Sequence, residues 1–344
     1  MTSLQISLLA IGGFTLLAVV IYNQWTARKN APRQADFEPS SELPESLSLD
    51  PQGPIEPVMV DDLASFPAPD KKPSIDALID AIAPIELESL VSGDAVLAAM
   101  PHTRRVGTKP FSVEALNETT GEWETPHAGR RYSAVQAAVQ LANRVGPINE
   151  IEFSEFVVKA QAVADDLNGE TNFPDMLEEV ARGRDLDQFA SAHDAQLSFT
   201  VCAQASAWSP GYIHQHAARL GFVAGVIPGR MVLPAAVQGA APILSLVFDT
   251  QAAMADDPAL SAIREFTMSL DVPQISRTDT PFRLLRDASN MLSQAMDGVV
   301  TDGGGRILNE AQLDSIALDL EQLYDALDSR ELSAGSPQAR RLFS

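Results

Sequence analysis

The first 27 residues carry no charged side chain, and from Leu4 to Tyr22 the chain reads as one apolar block, LQISLLAIGGFTLLAVVIY. A helix needs about 20 such residues to cross the hydrocarbon core of a bilayer. The pattern predicts a transmembrane anchor over 1–27, with Leu4, Leu9, Phe14, Leu17 and Val20 in the span. Tyr22 and Trp25 fall at the headgroup boundary, and Arg28, Lys29 and Arg33 follow directly. Positive charge beside a membrane end favours the cytoplasmic side, which puts the N-terminus in the periplasm and the bulk of the chain in the cytoplasm. A cleaved signal is disfavoured: nothing basic precedes Leu4, the block is long, and YNQWTARKN offers no small-residue cleavage site.

Residues 28–74 differ from everything after them. Prolines fall at 32, 39, 44, 51, 54, 57, 67, 69 and 73, acidic residues are frequent, and apolar periodicity is missing. Such a stretch buries too little surface to offset its ordering entropy, so a disordered linker is expected, with a coil end-to-end distance of roughly 35–40 Å. Beyond it lies a globular composition, divided here into an α+β region at 75–192 and a second domain at 193–330; 331–344 reads as a disordered tail.

Asp and Glu total 46 against 24 Lys and Arg, a formal charge of -22. Binding to nucleic acid rests on neutralising phosphates, so a general nucleic-acid role is excluded. Cys202 is the single cysteine, so no intrachain disulfide can form, and it is expected as a small buried hydrophobe in a strand. No catalytic, cofactor or metal constellation emerges. His214 and His216 lie two apart on a predicted helix and diverge, so solvated side chains without a shared ligand are expected. Gly303-Gly304-Gly305 lacks the helix and lysine of a phosphate loop, and Asp256-Asp257-Pro258 reads as a helix start. Trp123 and Trp208 are expected in the interior. The chain reads as a non-enzyme.

The C-terminal half is the more legible. Residues 195–204 alternate, with Leu197, Phe199 and Val201 on one face, predicting a half-buried strand. Ser209-Pro210 predicts a helix start and Gly221 its end. Strands follow at 222–227, 231–234, 243–249 and 265–272, with a helical turn after Pro258. Thr280-Pro281 opens a helix to Asp297, a hairpin spans 299–308, and Asn309 with Gln312 caps a last helix striped by Leu313, Ile316, Leu320, Leu323 and Leu327. The half at 75–192 reads as a looser version: strands at 79–87, 110–117 and 131–142, helices near 92–100, 160–168 and 174–191. Aligning residues 132–161 with 243–272 suggests an internal duplication. The fold class is α+β, a mainly antiparallel sheet with helices on one face.

GFVAGVIPGRMVL, PILSLVFDTQ, FTMSLDVPQ, FRLLRDASNMLSQAMDG and VVTDGGGRILNEAQL follow one another over about 195–330. With the anchor, basic collar and acidic linker, this order resembles the ZipA family, membrane tethers of the bacterial division ring. The resemblance implies a split β-α-β sheet of about six strands backed by three helices, whose open face binds the C-terminal tail of the tubulin-like protein FtsZ. It also implies an inner-membrane, single-pass protein at midcell during cell division and septum formation. Strand order carries the tail-binding positions onto Gln196, Ser198, Ile227, Val247 or Asp249, Thr267 and Ser269; only Ile227 and Val247 are apolar. The region 75–192 departs from the family plan. The competing expectation is a membrane-anchored cytoplasmic scaffold or regulator that binds another protein through the same fold. Alkaline phosphatase fused after Arg33 is expected to be inactive in cells, and a bright reporter would reverse the assigned topology.

Overall fold

In the computed structural model the described residues are 32–35, 75–236, 240–257 and 260–344. The anchor expected at 1–27 and most of the linker at 28–74 lie outside them. No helix among the described residues is long and apolar enough to cross a membrane. The chain divides into two compact units, one spanning 75–194 with 335–344, the other 32–35 with 195–334. Both are mixed α+β with antiparallel sheets.

The first unit is built on β1 (Asp80–Ser92), followed by α1 (Gly93–Ala99), β2 (Arg105–Val106), β3 (Lys109–Asn117), β4 (Trp123–Glu124) and β5 (Arg131–Gln140). The short pair β6 (Ala142–Asn143) and β7 (Gly146–Pro147) leads to α2 (Glu150–Asp166), β8 (Gly169–Thr171) and α3 (Met176–His193). The sheet order is β2-β3-β5-β1-β8, with β4 on β3. One apolar face runs across three strands: Ala81, Ala83 and Ile85 oppose Val139, Ala137 and Val135, which oppose Phe111, Val113 and Ala115. Phe156 of α2 caps this layer, its ring 6.1 Å from Phe111, 5.7 Å from Phe153 and 6.2 Å from Phe173. Helix α2 starts ten residues earlier than the periodicity suggested, because Asn149 and Glu152 form a reciprocal capping box at its first turn. Trp123 sits half-exposed on the edge strand β4, not in the interior.

The second unit is built on β9 (Gln196–Ala203), then α4 (Pro210–Arg219), β10 (Val223–Ala224), β11 (Arg230–Leu233), β12 (Leu244–Val247), α5 (Thr250–Ala253) and β13 (Glu265–Asp271). Helix α6 (Pro281–Met296), β14 (Gly298–Thr301) and α7 (Glu310–Ser329) complete it. The order is β10-β11-β12-β13-β9-β14, antiparallel throughout. Phe199, Val201, Leu246, Phe266, Met268 and Met231 form the buried face, and Leu285, Leu292 and Met296 of α6 are buried with them. The strand expected at 222–227 shrinks to two residues, because Gly225 leads directly into the turn before Arg230.

Two expectations are corrected. Arg33, placed by the sequence in a juxtamembrane cluster at the start of the disordered linker expected at 28–74, is docked on the second unit. Its backbone N–H donates to the Ala207 carbonyl at 2.7 Å, and its carbonyl accepts from Ser209 N–H at 2.9 Å. Its guanidinium reaches the Met296 carbonyl at 3.2 Å and the Asp297 carboxylate at 2.9 Å. Residues 331–344 are ordered: Leu332 is buried in the second unit, and the chain returns to the first as α8 (Pro337–Leu342), with Ala339, Leu342 and Phe343 fully buried. The largely polar stretch SAGSPQARRLFS concealed three apolar anchors and an ion pair to a buried carboxylate.

The units share an element order. Each opens on a strand that ends up central, flanked by the strand before its first long C-terminal helix and the strand after it: β5-β1-β8 and β13-β9-β14. The alignment of 132–161 with 243–272 fails, since 150–161 is helical whereas 265–271 is a strand; β5 and β13 are the strands that each lie beside the central one.

Arg341 holds α8 in place through paired bonds of 2.8 and 2.5 Å to Asp80, a carboxylate only 1% exposed. Arg341→Ala leaves that carboxylate buried without its counter-charge, with the Asp76 N–H at 2.8 Å as its remaining donor. It is expected to destabilise the first unit by about 3 kcal/mol, the low end for such pairs because the arginine is partly exposed. Urea denaturation followed by tryptophan fluorescence and circular dichroism checks this.

Candidate functional site

The face of the second sheet opposite α6 follows from the same alternation. Between β9 and β13 the partners are Gln196–Asp271, Ser198–Ser269, Thr200–Thr267 and Cys202–Glu265, all exposed or half-exposed. Register extends two of these pairs across the sheet. One row runs Ser198, Ser269, Ser245, Val232, Val223 over five strands. The next runs Thr301, Thr200, Thr267, Val247, Arg230. With strands about 4.8 Å apart, each row is about 19 Å long. The face therefore changes character along its width, from hydroxyls on β9 and β13 to valines on β10, β11 and β12.

The hydroxyl half bonds within itself. Ser245 and Ser269 share a hydrogen bond of 2.7 Å between their Oγ atoms, Thr200 and Thr267 one of 3.3 Å, and Thr301 Oγ1 donates to the Thr200 carbonyl at 3.2 Å. Thr301 is buried, whereas the half-exposed hydroxyls of Thr200, Ser245, Thr267 and Ser269 can each donate or accept once more, a capacity that suits an extended backbone. The valine half is exposed: Val247 at 41% and Val223 at 50%. Arg230 stands at the outer end of its row. Cys202 also lies on this face, half-exposed, with Sγ 3.7 Å from Thr301 Oγ1 and 3.9 Å from a Glu265 oxygen. It is not the buried hydrophobe the sequence suggested, because its position in the alternation is the polar one.

Of the partner-binding positions expected, the structure brings Gln196, Ser198, Thr267, Ser269 and Val247 together on this face. Ile227 is not on a strand. It occupies the turn between β10 and β11, 53% exposed, its carbonyl accepting from Arg230 N–H at 3.1 Å. That turn closes on Gly229, whose φ of +79° favours glycine and whose missing side chain lets the Phe248 carbonyl come within 2.8 Å of where a Cβ would stand. Asp249 is off the face as well. It caps α5, accepting from Gln251 N–H at 2.8 Å. The sequence missed Thr200, Val223, Arg230, Val232 and Ser245. Alternation marks each as outward, but only the register shows which outward residues share a row. The anchor positions Leu4, Leu9, Phe14, Leu17, Val20, Tyr22, Trp25, Arg28 and Lys29 lie outside the described residues.

Among the described residues no group of three or more His, Cys, Asp or Glu side chains could hold a metal ion. The helix histidines diverge as expected but are not solvated alone: His214 packs edge-on against Phe248 at 5.6 Å, and His216 lies 4.4 Å from the Tyr212 ring. Burial lowers the His214 pKa from its ordinary 6.5. Its protonated form is thus favoured in the unfolded chain, so this contribution to stability is present above pH 6.5 and lost as the pH falls below it. Melting temperatures measured between pH 7 and about 5 are expected to fall less steeply for His214→Gln than for the wild type.

No family model matches the chain, and no curated protein matches it.

Proposed function

We propose that the chain is a non-enzymatic, single-pass tether of the bacterial division ring, holding the C-terminal tail of FtsZ on the open face of the second sheet. The observation that carries this reading is the mixed face itself: a valine strip 41–50% exposed at Val247 and Val223, continuous in register with rows of unsaturated hydroxyls. A short extended peptide needs that combination. Its apolar side chains lie on the valines, its backbone groups bond the Ser and Thr hydroxyls, and Arg230 offers a charge to a carboxylate. The strand order around central β9, with helices behind, supports a split β-α-β domain of the ZipA kind, and the parallel order in the first unit supports a divergent duplication of it. The apolar block at 4–22 supports placement in the inner membrane with the N-terminus periplasmic and the body cytoplasmic. Anchoring concentrates weak peptide contacts on a filament, so avidity supplies what each site lacks.

A second reading has its own observation. Ser198, Ser245, Ser269, Thr200 and Thr267 make this face more polar than an apolar tail-binding groove, which favours a membrane-anchored scaffold or regulator with a different protein partner.

The test is a fluorescence-anisotropy titration of the FtsZ C-terminal peptide from the same bacterium with the full chain in detergent. Saturable binding, absent with a scrambled peptide and weakened by more than about 1 kcal/mol in Val247→Lys, is the expected result. Absence of binding at high concentration would replace the tether by the second reading. Equal binding by Val247→Lys would move the site off this face.

A further inference from the structure

Residues 335–344 extend the chain from the second unit but belong to the first. Arg341 meets Asp80 at 2.8 and 2.5 Å, and Gln338 donates to the Asp76 carboxylate at 2.7 Å. The Arg341 and Ser344 carbonyls accept from Gln140 Nε2 at 2.9 Å and from the Arg144 N–H at 3.3 Å. Ala339, Leu342 and Phe343 are fully buried. The site is chemically specific: Asp80, 1% exposed, requires a cation from whatever fills it, and this tail supplies one. Each of these bonds joins 338–344 to 76–144, so none depends on which copy of the chain the tail comes from.

The connection that leads to the tail carries strain. After Ser329 helix α7 closes with the Leu332 N–H on the Leu327 carbonyl at 3.0 Å, a wrapped turn whose pivot lies in the left-handed region. Glycine is the usual pivot, and here it is Glu331, at φ 59° with an exposed side chain. A residue with a Cβ is disfavoured in that conformation. Gly335 turns the chain again at φ 78°, directly before Ser336 caps α8. The connection therefore holds two left-handed residues within five positions, one of them unfavourable.

We propose that residues 335–344 exchange between two copies of the chain, each tail filling the site on the other copy's first unit. The bonds in the site are the same in either arrangement, so the balance rests on the hinge and on the cost of association. Extending the hinge releases Glu331 from the left-handed region and favours exchange; association entropy opposes it, less so as the chain is concentrated. Short hinges under strain are where such exchange begins. Chemistry selects the occupant, because a second copy brings the same arginine beside the same three apolar residues. The proposal does not rest on the reading of the sheet face.

Light scattering on the full chain in nonionic detergent, over a concentration series, tests it. A dimer is expected to build up with concentration. Glu331→Gly removes the strain at an exposed position and is expected to raise the dissociation constant about tenfold or more, since each dimer opens two hinges. Exchange is read directly by mixing Asp80→Arg, whose site repels its own Arg341, with Arg341→Asp, whose tail is repelled by its own Asp80. Only in trans does each tail meet an opposite charge, so energy transfer between donor- and acceptor-labelled copies is expected in the mixture and not in either variant alone. Because Asp80→Arg could fail to fold, the decision rests on wild type and Glu331→Gly, with circular dichroism confirming the fold of the latter. A chain that stays monomeric up to about 100 μM, or a dimer equally strong in Glu331→Gly, overturns the proposal; the second result would assign dimerisation to another surface.

Discussion

Trp208 is the point on which the second unit is assembled. Its ring is fully buried, 5.5 Å from Phe266 of β13, and its indole N–H donates to the Met296 carbonyl at 2.9 Å. That carbonyl belongs to the last turn of α6, where the helix has no internal donor left to satisfy it. Backbone bonds on one side join Trp208 to Ile263, at 2.8 and 2.9 Å; the neighbouring Ala207 and Ser209 bond Arg33 on the other. One large side chain thus fixes the end of a helix, the approach to β13 and the entry of the N-terminal segment together. Losing the backbone bonds to Ile263 or Arg33 would leave polar groups of this buried segment without partners, whereas the Met296 carbonyl would keep the Arg33 guanidinium at 3.2 Å.

The docking of Arg33 changes the geometry expected of an anchored protein. A long flexible leash would place the whole body tens of ångströms from its attachment. Residues 32–35 instead reach the second unit within a few residues of the expected span, and the stretch at 36–74 intervenes between that contact and the first unit.

The face of a half-buried sheet and the gap between two helices are different kinds of surface. Across the rows of the second sheet, hydroxyls and valines alternate with the buried set at period two, so the exposed chemistry is set by the strand pattern and is flat. Between α6 and α7 the surface is concave instead, a cavity of about 280 Å³ lined by Phe282, Ala317 and Leu320 together with Arg277, Arg283 and Arg286.

Much of this was readable from the residues. Caps and breakers carry their own physics locally, so Ser209-Pro210, Thr280-Pro281 and Asn309 with Gln312 marked helix starts that the structure shows at those places. Alternation likewise marked β9 and β13 and their buried faces. Tertiary structure alone decided what needs distant partners. It placed Ser245 beside Ser269 and Val247 beside Thr267, because register is a property of two strands and not one. It ordered residues 335–344, because Arg341 finds its partner only in Asp80, 261 positions away, and Ala339, Leu342 and Phe343 are buried only once the first unit is folded. It also moved Ile227 and Asp249 off the face, since a two-residue strand and a helix cap leave too little signal in one sequence to be told from the strands they interrupt.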